Sequence, residues 1–178
     1  MVTAKDGRSV SVVGTCLREI SQVVSIPATT DYAANDVLSD SASAGSAWNF
    51  ADVVPITGGS GTIEGAICIL QTTNITPLFT LYLFRATPTS QLNDNAANTA
   101  VIWADRANYI GKIDIPTLES LGAAAADGES VPGSGNLPKK FVCAENDNDL
   151  YGILVTRAAI TGEVATHSIY IKLLIRQD

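Results

Sequence analysis

The chain is 178 residues long, 46% hydrophobic and only 16% charged, with a formal net charge of −7. That length suits one domain able to bury a core without disulfides or metal, and that composition excludes a disordered chain. The acidic balance, with Lys and Arg scattered and Lys139-Lys140 as the only adjacent pair, excludes a phosphate-binding face, so no nucleic-acid partner is expected.

The first sixteen residues carry Lys5, Arg8 and the β-prone run SVSVV at residues 9–13. They read as an arm or a first strand ahead of a single β-sandwich domain at residues 17–178. As an arm, Val10 and Val12 would add a strand to a neighbouring molecule. Residues 17–26 alternate imperfectly, with Ile20, Val24 and Ile26 on one side, and stop at Pro27. Residues 31–46 are rich in Ala, Ser, Asp and Asn and predict a long loop, with Val37-Leu38 as its aliphatic pair. Residues 48–56 hold Phe50, Val53, Val54 and Ile56 before the Gly58-Gly59-Ser60-Gly61 turn.

Residues 62–85 form the spine of the chain: TIEGAICILQ, the polar break TTNITP, then LFTLYLFR. Strand alternation places Ile63, Gly65, Ile67 and Ile69 on one side of the first segment and Phe79, Leu81 and Leu83 on one side of the second. Ile63, Ile67, Ile69, Phe79, Leu81 and Leu83 are therefore the expected core. The second segment is also aromatic on its other face, where Tyr82 and Phe84 are expected to form a subunit interface or a second buried layer.

Residues 86–99 carry Pro88 and a run of Asn and Asp, followed by the apolar island Val101-Ile102-Trp103. Residues 109–115 alternate, with Tyr109, Gly111, Ile113 and Ile115 on the apolar side. Residues 117–126 predict one or two helical turns, capped by Thr117, with Leu118 and Leu121 three apart. PGSGNLP at residues 132–138 is a loop, and residues 141–144 are a short strand. Residues 150–157 put Ile153 and Val155 opposite Leu154. In residues 167–176, Ile169, Ile171, Leu173 and Ile175 face one way and Tyr170, Lys172, Leu174 and Arg176 the other.

Roughly eight to ten strands with regular turn signals and almost no helix predict an all-β, two-sheet β-sandwich, a jelly roll with at most one short helix. An immunoglobulin-like sandwich ranks second because its Cys-Trp-Cys arrangement is missing. The amino terminus lacks a signal-peptide pattern and no apolar run approaches the ~18–20 residues of a membrane span, so no membrane partner is expected.

The residues that carry chemistry are sparse. Cys16, Cys68 and Cys143 are far apart without CxxC spacing, and Cys68 and Cys143 read as reduced, buried small hydrophobes. His167 is the only imidazole, and no GxSxG elbow accompanies it. Glu64 and Asp114 are the strand-borne carboxylates that a glycosidase pair would need. Asn93-Asp94-Asn95 and Asn146-Asp147-Asn148-Asp149 are oxygen-rich enough for calcium, but Asn and Asp also dominate turns. No catalytic residue, metal or cofactor is assigned, and the chain is expected not to be an enzyme.

The order of segments carries a resemblance. LYLFRATPTS at residues 81–90, NDNAAN at 93–98, YIGKIDIP at 109–116, LYGILVTRA at 150–158 and the final apolar strand resemble virion proteins of tailed bacteriophages. The resemblance spans residues 32–176, and some jelly-roll members of that group are capsid decoration, or cement, proteins. It implies a capsid-surface protein made in the host cytoplasm. Its implied partners are the major capsid protein and copies of itself, most often as a homotrimer. It assigns no site residues. A carbohydrate-binding jelly roll of a phage fibre or tail is the alternative, and it would expose Trp48, Trp103 or Tyr109 on a concave face. A hydrolytic enzyme built on His167 and Glu64 is a third, weaker reading.

Overall fold

The computed structural model describes residues 16–27, 31–73, 75–122, 124–161 and 167–178, together with the backbone of residues 2–3 and 9–10. The strands are β1 (Val2–Thr3), β2 (Ser9–Val10), β3 (Leu17–Ser25), β4 (Val37–Leu38), β5 (Trp48–Phe50), β6 (Ser60–Leu70) and β7 (Phe79–Phe84). They continue with β8 (Tyr109–Ile115), β9 (Glu119–Ser120), β10 (Ala126–Ser130), β11 (Lys139–Val142), β12 (Leu150–Thr156) and β13 (Ser168–Gln177). A short 3-10 helix occupies Trp103–Ala107. Of the expected arm, β1 and β2 pair with each other through Val2↔Val10 and Thr3↔Ser9. Val10 is described in its backbone alone, and Val12 lies outside the described residues.

Two antiparallel sheets make the sandwich. The first has the order β3-β13-β6-β10-β9, with β11 placed end to end with β10 along β6. The second has the order β4-β12-β7-β8, with β5 end to end with β4 along β12. The connectivity is that of an antiparallel ribbon folded over on itself. β3 pairs β13, β4 and β5 pair β12, β6 pairs β10 and β11, and β7 pairs β8. Rolling the ribbon adds the pairs β6–β13 and β7–β12, which is the two-Greek-key order of a jelly roll.

The core lies between the sheets. β13 contributes Ile169, Ile171, Leu173 and Ile175, all fully buried, opposite Leu38, Trp48, Phe50, Phe79, Leu81, Leu83 and Leu154. Each such side chain stabilises the fold by about 1.5–3 kcal/mol relative to exposure. The Trp48 indole keeps its polar atom satisfied by donating from Nε1 to the Leu38 carbonyl at 2.9 Å. Cys68 and Cys143 are buried free thiols, and burial pushes the Cys68 thiol up to about 12 and the Cys143 thiol up to about 11.

Two β-bulges overturn parts of the expected pattern. On β6 the register against β13 shifts between Leu174↔Gly65 and Ile175↔Ile63, leaving Glu64 as the extra residue. An extra residue reverses which side chains face inward. Ile63 is buried as expected, but beyond the bulge Ala66, Cys68 and Leu70 fill the core while Ile67 and Ile69 face outward. On β8 the register shifts between Leu83↔Gly111 and Phe84↔Tyr109, so Ile110 is extra. Tyr109 therefore lies on the opposite face from Ile113 and Ile115. The β6 bulge predicts an asymmetry that urea melts can read. Ile69→Thr should cost less than about 1 kcal/mol, whereas Cys68→Asp should cost about 3 kcal/mol or more by burying an unpaired carboxylate.

The helix expected at residues 117–126 is absent; β9 and the start of β10 stand there instead. Leu118 is buried and Leu121 is 59% exposed, so the two do not share a face. Gly122, at φ +101°, turns the chain, and Leu121 N–H donates to the Ala125 carbonyl across the turn. A segment this short, between Pro116 and Gly122, cannot repay helix nucleation.

Candidate interaction surfaces

The two outer faces of the sandwich differ. That of the second sheet is closed by the chain itself. Val37, Phe84, Ile153 and Val155 are fully buried there, under Leu92, Ala100 and Val101 of the long connection between β7 and β8. Tyr82, Tyr109 and Tyr151 complete the layer, with the Tyr109 ring centroid 5.5 Å from Phe84 and 6.5 Å from Tyr82. Phe84 thus belongs to a second buried layer within the chain. A ring with no exposed surface offers nothing to a subunit contact, so Phe84 drops out of the expected interface, leaving Tyr82 half-buried at the margin.

The closing loop is held by buried carboxylates. Asp94 accepts the Ser39 N–H at 2.9 Å through Oδ1 and the Tyr32 hydroxyl at 2.7 Å through Oδ2. Burial outweighs those bonds and raises its pKa. Asp105 accepts four bonds of 2.6–2.9 Å from the backbone N–H and hydroxyl groups of Thr89 and Ser90. Reciprocal backbone bonds, Val37 N–H to Ala96 O and Asn95 N–H to Val37 O, lay the loop along β4. The oxygen-rich run at residues 93–95 is therefore committed to loop geometry. The second run is similar: Asp147 Oδ1 accepts from the Asn148 and Asp149 N–H groups, and its Oδ2 accepts from the Tyr151 hydroxyl. Among the described residues, no group of three or more His, Cys, Asp or Glu side chains is arranged to hold a metal ion.

Among the described residues, none covers the outer face of the first sheet. Register places Val23, Tyr170, Ile69 and Asp127 in one row, Ser21, Lys172, Ile67 and Glu129 in the next, and Glu19, Leu174 and Gly65 in a third. Val23 is 54% exposed, while Ile67, Ile69, Tyr170 and Leu174 are partly exposed. The cations on this face are neutralised locally: Lys172 meets Glu19 at 3.3 Å and Arg176 meets Glu64 at 2.8 Å. Exposed pairs of this kind add only about 0–1 kcal/mol, but they leave the face apolar in its middle, with Asp127 and Glu129, which have no cation partner among the described residues, at one margin. This patch escaped the sequence reading because the bulge at Glu64 is what turns Ile67 and Ile69 outward. Ile63, Ile67 and Ile69 keep step in the sequence, so no local signal marked the change of face.

The chemical candidates are dispersed. Glu64 and His167 stand at opposite ends of β13, ~30 Å apart at about 3.3 Å per strand residue. His167 borders a small apolar cavity with Ile26, Leu38 and Phe79, and its Nδ1 is buried without a hydrogen-bond partner among the described residues. Glu64 and Asp114 lie on the outer faces of different sheets, so they cannot flank one bond. Asp114 ties β8 to its neighbours by accepting from Thr80 Oγ1 at 2.8 Å and Asn136 Nδ2 at 2.6 Å and pairing with Lys112 at 2.9 Å. Burial raises its pKa, but the bonds from Lys112, Thr80 and Asn136 together hold it below the usual carboxylate range. Of the aromatic trio, Trp48 is walled into the core, Tyr109 is half-buried and Trp103 is 79% exposed with the Arg106 guanidinium 4.4 Å from its ring centroid. None of the described helices is long and apolar enough to cross a membrane.

No family model matches the sequence, and no curated protein matches it. Among solved structures the chain is similar, at 10% identity and a TM-score of 0.27, to a chain from the structure of deformed wing virus, a honeybee pathogen. The match covers 100% of this chain and 54% of the viral one, so the chain spans about half the length of that relative. A TM-score of that size carries no argument, and the jelly-roll assignment rests on the strand order given above.

Proposed function

We propose that this chain is a non-enzymatic structural protein of a virion, a jelly-roll subunit that decorates or stabilises a capsid through protein–protein contacts and associates with copies of itself. The observation that carries the proposal is the contrast between the sheets. The second sheet covers its own outer aromatics, while the first leaves Val23, Ile67, Ile69, Tyr170 and Leu174 accessible on a surface of backbone-rigid strands. A rigid apolar face with an acidic margin suits burial against another folded surface, and a repetitive shell multiplies modest contacts into stable attachment. The dispersal of His167, Glu64 and Asp114 favours a role without covalent chemistry. The segment resemblance to tailed-phage virion proteins points the same way and supplies the capsid surface as the place of action, with the major capsid protein as partner.

The sugar-binding alternative keeps one feature, the exposed Trp103, but loses Trp48 as a platform. Sedimentation distinguishes the readings. The purified chain is expected to run as a trimer and to co-sediment with phage shells that lack it. The pair Val23→Glu and Ile67→Glu should abolish co-sedimentation while shifting stability by no more than about 0.5 kcal/mol each, since both side chains face outward. A monomer without affinity for shells would sink the proposal.

A further inference from the structure

The cations of this acidic chain are not evenly accounted for. Lys112, Lys172 and Arg176 are each paired with a carboxylate. Six others have no carboxylate partner among the described residues, and four of them, Arg85, Arg106, Lys139 and Lys140, gather at one end of the sandwich, where β7 ends, β8 begins and β11 runs alongside, the other two being Arg18 and Arg157. Arg85 is placed there by its N–H bond to the Asn108 carbonyl and by a longer contact from Nε to Asn108 Oδ1. Lys139 reaches from β11 across to Gly111 of β8. Between the edge strands β8 and β11 lies an open groove of about 430 Å3, lined by Arg85, Asn108, Ile110, Lys140, Phe141 and Val142 among others. Asp178 stands in the same groove, its carboxylate accepting a bond from Ser60 Oγ.

Beside the groove, the 3-10 turn that supplies Ala107 to its wall also carries Trp103, with Arg106 stacked over the ring and donating to the Trp103 carbonyl at 2.7 Å. That mounting is rigid, because Asp105 between them is buried and takes four hydrogen bonds from Thr89 and Ser90. A fixed exposed tryptophan flanked by arginine is the composition of an interface anchor. Unpaired cations around an apolar floor, on a chain whose net charge repels anions at long range, mark a local preference for carboxylates that only a fitted partner can exploit.

We propose that this end of the sandwich binds an extended acidic segment of a partner protein, with Trp103 as the apolar anchor and Arg85 and Lys140 receiving its carboxylates. β8 pairs with another strand on one side only; the outward N–H and carbonyl of Asp114 are taken by Gly135 and Ser130, and it is the opposite end of the strand, at Tyr109 and Ile110, that borders the groove. The inference is independent of the shell proposal: a chain that ignores shells and still binds acidic peptide keeps this one and loses that one.

The test uses the full chain and a fluorescein-labelled peptide of alternating Glu and Val, with its Gln-for-Glu counterpart as control, read by anisotropy. The Glu peptide is expected to bind with an affinity that falls as salt rises, and the Gln peptide about tenfold or more weakly. Trp103→Ala and the double variant Arg85→Gln/Lys140→Gln should each weaken binding by about tenfold with an unchanged melting temperature, since the substituted side chains reach solvent. Trp48 is buried, so a peptide-induced change in the emission of exposed Trp103 gives a second readout. Equal binding of both peptides, or indifference to the double variant, would overturn the assignment. So would binding of polygalacturonate in place of the peptide, or self-association of the chain that the same substitutions abolish.

Discussion

Phe84→Ala is expected to lower the stability of the isolated chain by about 3–5 kcal/mol, the range for emptying a fully buried aromatic site. The ring has no exposed surface and packs among Val37, Ile153 and Val155 beneath the connection between β7 and β8. Its loss would leave a cavity between the second sheet and that loop, and would remove the tilted contact with Tyr109. Urea unfolding of the chain at a concentration where its mass is that of a single subunit measures the effect. If Phe84 instead served a subunit contact, the isolated chain would keep its stability and only its assembly would change. A loss under about 1 kcal/mol would therefore refute the buried-layer description.

Asp105→Ala is expected to cost about 3 kcal/mol, because it strands four donors on Thr89 and Ser90 at a site that is only 3% exposed. Asp105→Asn keeps the shape but turns a donor toward other donors, so it should recover only part of the loss. The pH dependence follows from the carboxylate. Burial acts to raise its pKa, but the bonds from Ser90 and Thr89 outweigh burial and leave it below the ordinary value. A depressed folded pKa means stabilisation that is complete above the unfolded value of about 3.9 and is lost as pH falls through the folded one. The stability gap between the natural chain and Asp105→Asn should hence be flat above about pH 5 and narrow below about pH 4. Thermal melts across that range check the sign; a gap that widened on acidification would contradict it.

Much of the frame was legible from alternation. The period-2 pattern of residues 167–176 gave the inward set of β13 without error, and Phe79, Leu81 and Leu83 are buried as expected. Ile153 and Val155 do oppose Leu154, each side finding its own apolar layer. Legibility ended where one residue was inserted into a strand. Nothing in TIEGAICIL distinguishes a regular strand from one bulged at Glu64, since both are apolar at nearly every position, and the choice is made by the pairing with β13. The Leu118 and Leu121 spacing misled for a related reason: a three-residue interval fits a helix, but it also fits two residues on either side of a strand and its turn.

The candidate surfaces were less legible than the fold. Tyr82 and Phe84 were correctly marked as a second apolar face, but only the path of the loop at residues 85–108 decides that Phe84 is covered from within. The exposed face of the first sheet and the cation-lined groove are assembled from residues far apart in sequence, such as Val23 with Ile69 and Tyr170, and Arg85 with Lys140. No local pattern announces them.

The class followed from local pattern alone: short strands with period-2 burial, turns at regular spacing and little helix, which together make a two-sheet sandwich. Those features are local, because side-chain alternation and turn chemistry act over a few residues. The jelly-roll order of the strands, the reversal of faces at Glu64 and Ile110, and the choice of the sheet that the described residues leave uncovered were set by long-range pairing. These depend on pairings between segments a hundred or more residues apart, such as β3 with β13, whose free energy belongs to the contact between the two strands and not to either one alone.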